Sequence, residues 1–427
     1  LRPVASRWLL VGLLCMNLSP ATAQSDSPLP RADKLPSQAE LPDPLVALDG
    51  TRIATLEQWQ NRRRPELLRL FQHYMYGAPP AGPVTVRATV THTDPQLFNG
   101  KATLRLVTLK YGPDATPPLH LLLVIPNKVA TKPGVFVGLN FCGNHAVLDH
   151  PAIPLPTTWV YGNCPGCQEN RATDAGRGKE AGVWSIEQTI GRGYAVATAY
   201  SGDIDPDQPD FTDGVHPHFL KPGQKQPGPN DWGTIAAWAW GLSRIADYLV
   251  TVPEIDAQRL AVVGHSRLGK TALLAGAQDP RFTLVIPHQA GCGGTAPSRH
   301  DVGETVKQIN DRFPHWFCDE FTRFNEAVDR LPFDQHCLVA LCAPRPVLFT
   351  NAVEDSWADP EGQFRVLGAA NPVYKLLGVT GLEADAYPPV GELIPSRLGY
   401  QVRTGKHSMN ADDWKVFADF ADRWLKR

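Results

Sequence analysis

The chain has 427 residues, 43% of them hydrophobic and 20% charged, the composition of a globular protein with a large core. A formal net charge of -2 gives no electrostatic basis for nucleic acid or an anionic membrane as a partner. The 40 prolines and 36 glycines imply many ordered loops, which suits a loop-built functional face.

Residues 1–23 read as a signal peptide. Arg2 and Arg7 precede the apolar run "WLLVGLLCMNL", which is too short to span a bilayer, and "ATA" at 21–23 offers a cleavage site. A polar, Pro-rich linker follows over 24–40, and residues 41–427 are expected to form a single domain. This order predicts a secreted or periplasmic protein. Seven cysteines then remain, so at least one thiol is unpaired within the chain. "CPGC" (164–167) reads as a local disulfide or as plain loop thiols, not as a redox or metal centre.

Residues 55–76 show helical apolar spacing through Leu67, Leu68, Leu70, Phe71 and Tyr74. The basic run Arg62 to Arg64 reads as a solvated face. Two apolar runs, 103–112 and 119–126, look like an antiparallel strand pair. Strand-type runs follow at 134–141, 194–201, 259–264, 282–289, 346–352 and 399–405. They are short and apolar on both faces, as buried parallel strands are. Helical patterns at 231–251, 267–279, 361–370 and 411–427 separate or follow them. Such alternation predicts an α/β fold in which helices cover both faces of a mostly parallel central sheet.

The stretch "VVGHSRLGKT" (262–271) carries the chemistry. Ser266 stands between a buried strand and a helix, where a nucleophilic serine needs a tight reversal with small residues beside it. Gly264 meets that need. The usual second glycine is Leu268, and a glycine comes one place later, at Gly269. A serine in this place also serves as a helix cap, so its partners decide the reading. A base and an orienting acid are required, in the chain order serine, acid, histidine. "TGKHSMNADDW" offers His407 after the last strand, and "TNAVEDSWADPEGQF" offers three acids. Asp355 lies where its carboxylate can reach the imidazole, Glu354 is its neighbour, and Asp359, followed by Pro360, reads as a helix N-cap. Arg267 supplies a backbone N–H and a fixed cation beside the oxyanion, and "FCGNH" (141–145) is a source of a further N–H donor.

Several segments together resemble the glucuronoyl esterases of carbohydrate esterase family 15. They are "LPDPLVALDG", "YMYGAPP", "GLNFCGNHAV", "GYAVATAYSGDIDPD", "GHSRLGK", "AGCGGTAPSRHDVGETV", "SWADPEGQF" and "KHSMNADDW". The likeness runs from about residue 40 to the end. It implies an α/β-hydrolase fold, a three-layer sandwich, and a serine esterase that needs no metal or cofactor. It also implies a substrate class: esters between (4-O-methyl-)glucuronate branches of xylan and lignin alcohols, cleaved by a monomer. Residue by residue, Ser266 would be the nucleophile, His407 the base and Arg267 the oxyanion donor. Lys270, Glu304 and Trp357 match positions that hold the sugar. In the fungal members the acid follows the strand at 282–289, where this chain has the neutral Gln289; some bacterial members use the position of Asp355. Fungal members also bridge two cysteines where this chain has His265 and Ser408, so that bridge is not expected. Two other readings compete: a broader acetyl or feruloyl esterase, and a non-catalytic polysaccharide-binding protein on a hydrolase fold.

Overall fold

The structure, a computed structural model, describes residues 28–299 and 302–426. The leader reading for 1–23 lies outside them. Among the described residues, ten strands form one sheet in the order β1-β2-β3-β5-β4-β6-β7-β8-β10-β9. The strands are β1 (Val86–Gln96), β2 (Ala102–Tyr111), β3 (Leu119–Pro126), β4 (Val135–Asn140) and β5 (Ala195–Tyr200), then β6 (Leu260–His265), β7 (Phe282–His288), β8 (Val347–Ala352), β9 (Leu393–Ile394) and β10 (Leu398–Arg403). Neighbouring strands from β5 through β4, β6, β7 and β8 to β10 run parallel. Every residue of β4, β5 and β8 is buried, which matches their uninterrupted apolar sequence. β1, β2 and β3 form an antiparallel extension, and β3 joins β5 antiparallel.

Helices close both faces. We label α1 (Arg64–Phe71), α2 (Thr234–Leu249), α3 (Arg267–Gln278), α4 (Gln335–Cys342), α5 (Pro360–Leu376) and α6 (Ala411–Leu425). One large core joins α1 through α5 to one sheet face, and a second joins α6 and residues 184–190 to the other. This is the expected three-layer α/β-hydrolase architecture.

Three local expectations need correction. β1 lay outside the strand-type runs because it is mostly exposed: its Thr-rich sequence has little apolar period, and pairing with β2 holds it in place. α4 was missed for the opposite reason. All eight of its residues are buried, so "QHCLVALC" has no polar face to reveal a helical period. Third, the run Arg62 to Arg64 is not one solvated face. Arg62 is exposed and pairs with Asp49, whereas Arg63 is buried and bonds Glu66 (2.5 Å) and the Pro44 carbonyl (3.0 Å). π-helical turns on either side of α1, Trp59–Arg63 and Gln72–Tyr76, shift the faces that a regular helix would present.

Candidate active site

β6 ends at His265, and α3 begins at Arg267. Ser266 between them has φ 58° and ψ -123°, a strained conformation for a residue with a side chain. Its N–H donates to His288 O (2.9 Å), and its carbonyl accepts from Gly269 (2.8 Å) and Lys270 (3.1 Å). The glycine spacing now has a physical account. A Cβ on Gly264 would fall 1.9 Å from Leu268 O, and one on Gly269 would fall 2.9 Å from His288 O. The two close approaches of this reversal are therefore at 264 and 269. Position 268 faces inward and takes a buried leucine.

His407 lies in the loop between β10 and α6. The helix is fixed by Asn410, whose side chain accepts from the Asp412 and Asp413 amides while Asp413 reaches back to the Asn410 amide. His407 Nδ1 is 2.6 Å from Asp355 Oδ2, and the Asp355 side chain is 5% exposed. A carboxylate only accepts, so in this bond Nδ1 is the donor and Nε2 is the ring nitrogen left to face the cleft's chemistry. The other two acids differ. Glu354 is exposed, and Asp359 caps α5 through the Gly362 amide (2.9 Å). Ser266 and His407 line one cleft of about 290 Å³. No hydrogen bond joins Ser266 Oγ to His407 among the described residues; catalytic bonds of this kind often tighten only when substrate binds.

Gln289 occupies a left-handed turn at the end of β7 (φ 48°). Its Oε1 accepts from the Ser408 amide (2.9 Å), so a neutral side chain braces the loop beside the imidazole. His265 adds a second brace: its ring lies 4.5 Å from that of His407 and 5.1 Å from that of His288. Burial, then the neighbouring histidines, holds His265 well below the usual imidazole range, so it stays neutral beside His407.

Arg267 borders the same cleft and pairs with Asp207. Its guanidinium sits 4.8 Å from the Trp316 ring centroid and 5.4 Å from that of Tyr161. Asp207 also accepts from His315 Nε2 (2.9 Å) and Trp316 Nε1 (2.8 Å). Burial pushes the Asp207 carboxyl up, but the His315 hydrogen bond and the charge of Arg267 outweigh it and hold it below its ordinary value. Sequence reasoning gave none of these partners a role, because Asp207 lies 60 positions before Arg267 and 108 before His315, in loops with no local pattern to join them.

Lys270 lies one helical turn past Ser266 but does not line this cleft. It is buried and donates to Ala290 O, so neither a solvated lysine nor a side chain free in the cleft describes it. Burial lowers its pKa, and the nearby Glu304 carboxylate offsets part of that. The Glu304 amide donates to Trp357 O (3.0 Å), and Trp357 is 48% exposed, too open for core filling. None of Lys270, Glu304 and Trp357 lines the cleft that holds Ser266, Arg267 and His407: Trp357 follows Asp355 by two residues, and Lys270 Nζ lies 5.9 Å from the Trp316 ring that Arg267 also covers. A disulfide joins Cys142, after β4, to Cys164 across a separation of 22 residues. The bridge is not local to "CPGC": Cys167 is a free thiol with its Sγ toward Val160 O.

A carbohydrate esterase from an unknown prokaryotic organism is 46% identical over 90% of this chain and 89% of its own. A solved CE15 esterase from a marine bacterial metagenome, described as promiscuous, superposes with a TM-score of 0.85 at 46% identity, covering 92% of this chain and 98% of that one. The chain belongs to carbohydrate esterase family 15. A glucuronoyl esterase from Solibacter usitatus superposes at TM-score 0.84 with 38% identity, covering 91% of this chain and 99% of that one. A family profile described as "Glucuronyl esterase, fungi" matches residues 227–378 of this family 15 chain. It is accordingly a carboxylic ester hydrolase, which removes the purely binding reading. Among the described residues no group of three His, Cys, Asp or Glu is arranged to hold a metal, and no helix is long and apolar enough to cross a membrane.

Proposed function

We propose that this esterase cleaves esters of glucuronic acid and its 4-O-methyl derivative by nucleophilic catalysis through Ser266. His407 Nε2 takes the Ser266 proton as Oγ attacks the ester carbonyl. The tetrahedral oxyanion is stabilised by the Arg267 N–H and guanidinium. As the C–O bond breaks, the alcohol leaves with the proton from His407. Water, activated by the same imidazole, then releases glucuronate and restores Ser266. Asp355 holds the Nδ1–H and stabilises the imidazolium.

The observation that carries this reading is the aspartate-held Arg267 beside Ser266 in an aromatic cleft. A generic oxyanion site needs only N–H donors, whereas a fixed cation suits a uronate carbonyl and the carboxylate it becomes. Names of relatives agree: a 4-O-methyl-glucuronoyl methylesterase from Wolfiporia cocos is 29% identical over 79% of this chain. Lys270, Glu304 and Trp357 are assigned to the sugar, with Glu304 accepting from hydroxyls and Trp357 offering a flat apolar face. Ser266→Ala should abolish hydrolysis of benzyl glucuronate in a folded protein; retained turnover would end the assignment.

A broader esterase remains a second reading, favoured by the word promiscuous in the description of the 46% identical structure. The ratio of kcat/KM on methyl glucuronate to that on an aryl acetate separates the two. The biological substrate we assign is the ester linking glucuronoxylan to lignin alcohols, met outside the cytoplasm, where the Cys142–Cys164 bridge is stable.

A further inference from the structure

The mechanism above leaves one charged group of the cleft without a task. Glu180 precedes the short helix Ala181–Trp184 and lines the same cleft as Ser266, Arg267 and His407. Its amide donates to Ala146 O (2.8 Å), which seats it against the segment after β4. Among the described residues its carboxylate has no hydrogen-bond or ion-pair partner. Burial alone acts on its acidity and pushes it up. A half-buried carboxylate without donors is costly, and the cost falls when a ligand brings one.

The wall around it is aromatic. Trp159, Tyr161 and Tyr200 border the cleft, and the Tyr200 hydroxyl is already committed to Trp159 O (2.5 Å). Glu180 thus shares the cleft with three aromatic residues. Glu304 and Trp357 are not among the residues that line this cleft; they meet through the Glu304 amide and Trp357 O, two residues past Asp355. In the proposed reading, on which this step rests, those residues take the sugar, so the wall of Glu180 is left for the alcohol.

We infer that Glu180 determines specificity for the alcohol half of the ester, accepting a hydrogen bond from a hydroxyl on an aryl alcohol packed against Trp159 and Tyr161. A carboxylate cannot donate, so a methoxyl at the same place gains nothing, and an anionic group is repelled.

The test compares benzyl, 3-hydroxybenzyl and 3-methoxybenzyl glucuronates with wild type, Glu180→Gln and Glu180→Leu. Wild type should prefer the hydroxybenzyl over the methoxybenzyl ester by about tenfold in kcat/KM, mostly through KM, the size of one hydrogen bond to a charged group. Glu180→Leu should erase the preference, and Glu180→Gln, isosteric and retaining a carbonyl acceptor, should narrow it. Should Glu180→Leu melt early, Glu180→Gln decides. No preference in wild type, or an unchanged preference in a folded variant, overturns the inference while the esterase reading stands. Failure of wild type on all three esters refutes the glucuronoyl reading itself, and this inference with it.

Discussion

Asp355→Asn tests the centre of the mechanism. The wild-type carboxylate accepts from His407 Nδ1 at 2.6 Å, and its side chain is 5% exposed, so water cannot easily replace it. An asparagine amide fits the same space but can turn its NH₂ toward the ring. Nδ1 would then become the acceptor and the proton would move to Nε2, which could no longer take the serine proton. A wrong-tautomer change of this kind in serine hydrolases costs about 10⁴ in kcat, or about 5 kcal/mol of barrier. Gln289 offers no substitute, because it is neutral and its Oε1 is bound to the Ser408 amide. The assay is kcat and KM on benzyl glucuronate, with thermal melting to verify the fold. We expect KM to change little and kcat to carry the loss. A loss below tenfold would refute the argument, because some other carboxylate would then be orienting the base. Adding Gln289→Glu to Asp355→Asn should recover part of the rate, since the new carboxylate would stand beside the same loop.

Arg267→Lys should lower kcat by about 10²–10³, because a lysine cannot keep both the Asp207 pairing and the oxyanion contact; equal activity would remove Arg267 from the oxyanion. Asp207→Asn should destabilise the fold at neutral pH, since it leaves a partly buried guanidinium unpaired. Its pH dependence has a definite sign. The folded Asp207 pKa lies below its unfolded value, so the stabilisation is present above about pH 4 and is lost as pH falls further. Chemical denaturation of wild type and Asp207→Asn should therefore converge in acid; a constant gap would argue against the ion pair. Gly264→Ala should cost about 3 kcal/mol or prevent folding, because its Cβ meets the Leu268 carbonyl, and an unchanged denaturation midpoint would contradict that contact. Cys164→Ser opens a link spanning 22 residues and should lower stability by about 3 kcal/mol in the oxidised protein; equal stability under oxidising conditions would mean the bridge is not formed.

Much of this protein is set by local pattern. Buried parallel strands need uninterrupted apolar runs, so β4 to β8 and β10 were legible, and their alternation with helices left few architectures. Ser266, Asp355 and His407 lie just past strand ends, where the sheet delivers residues to one edge, so chain order nominated Ser266 and His407, and distance past the strand end chose Asp355 over Glu354 and Asp359. Tertiary structure decided what depends on distant pieces of chain meeting. The exposed strand β1 is held by its partner, and α4 is hidden by burial all round. Whether 268 or 269 needed the glycine depended on His288 O from the neighbouring strand. The disulfide partner of Cys164, the Asp207 beneath Arg267 and the free Glu180 carboxylate in the cleft come from loops with no short-range signal. Burial then altered their chemistry: charges and donors shift when water is removed, and the sequence does not record which groups lose it.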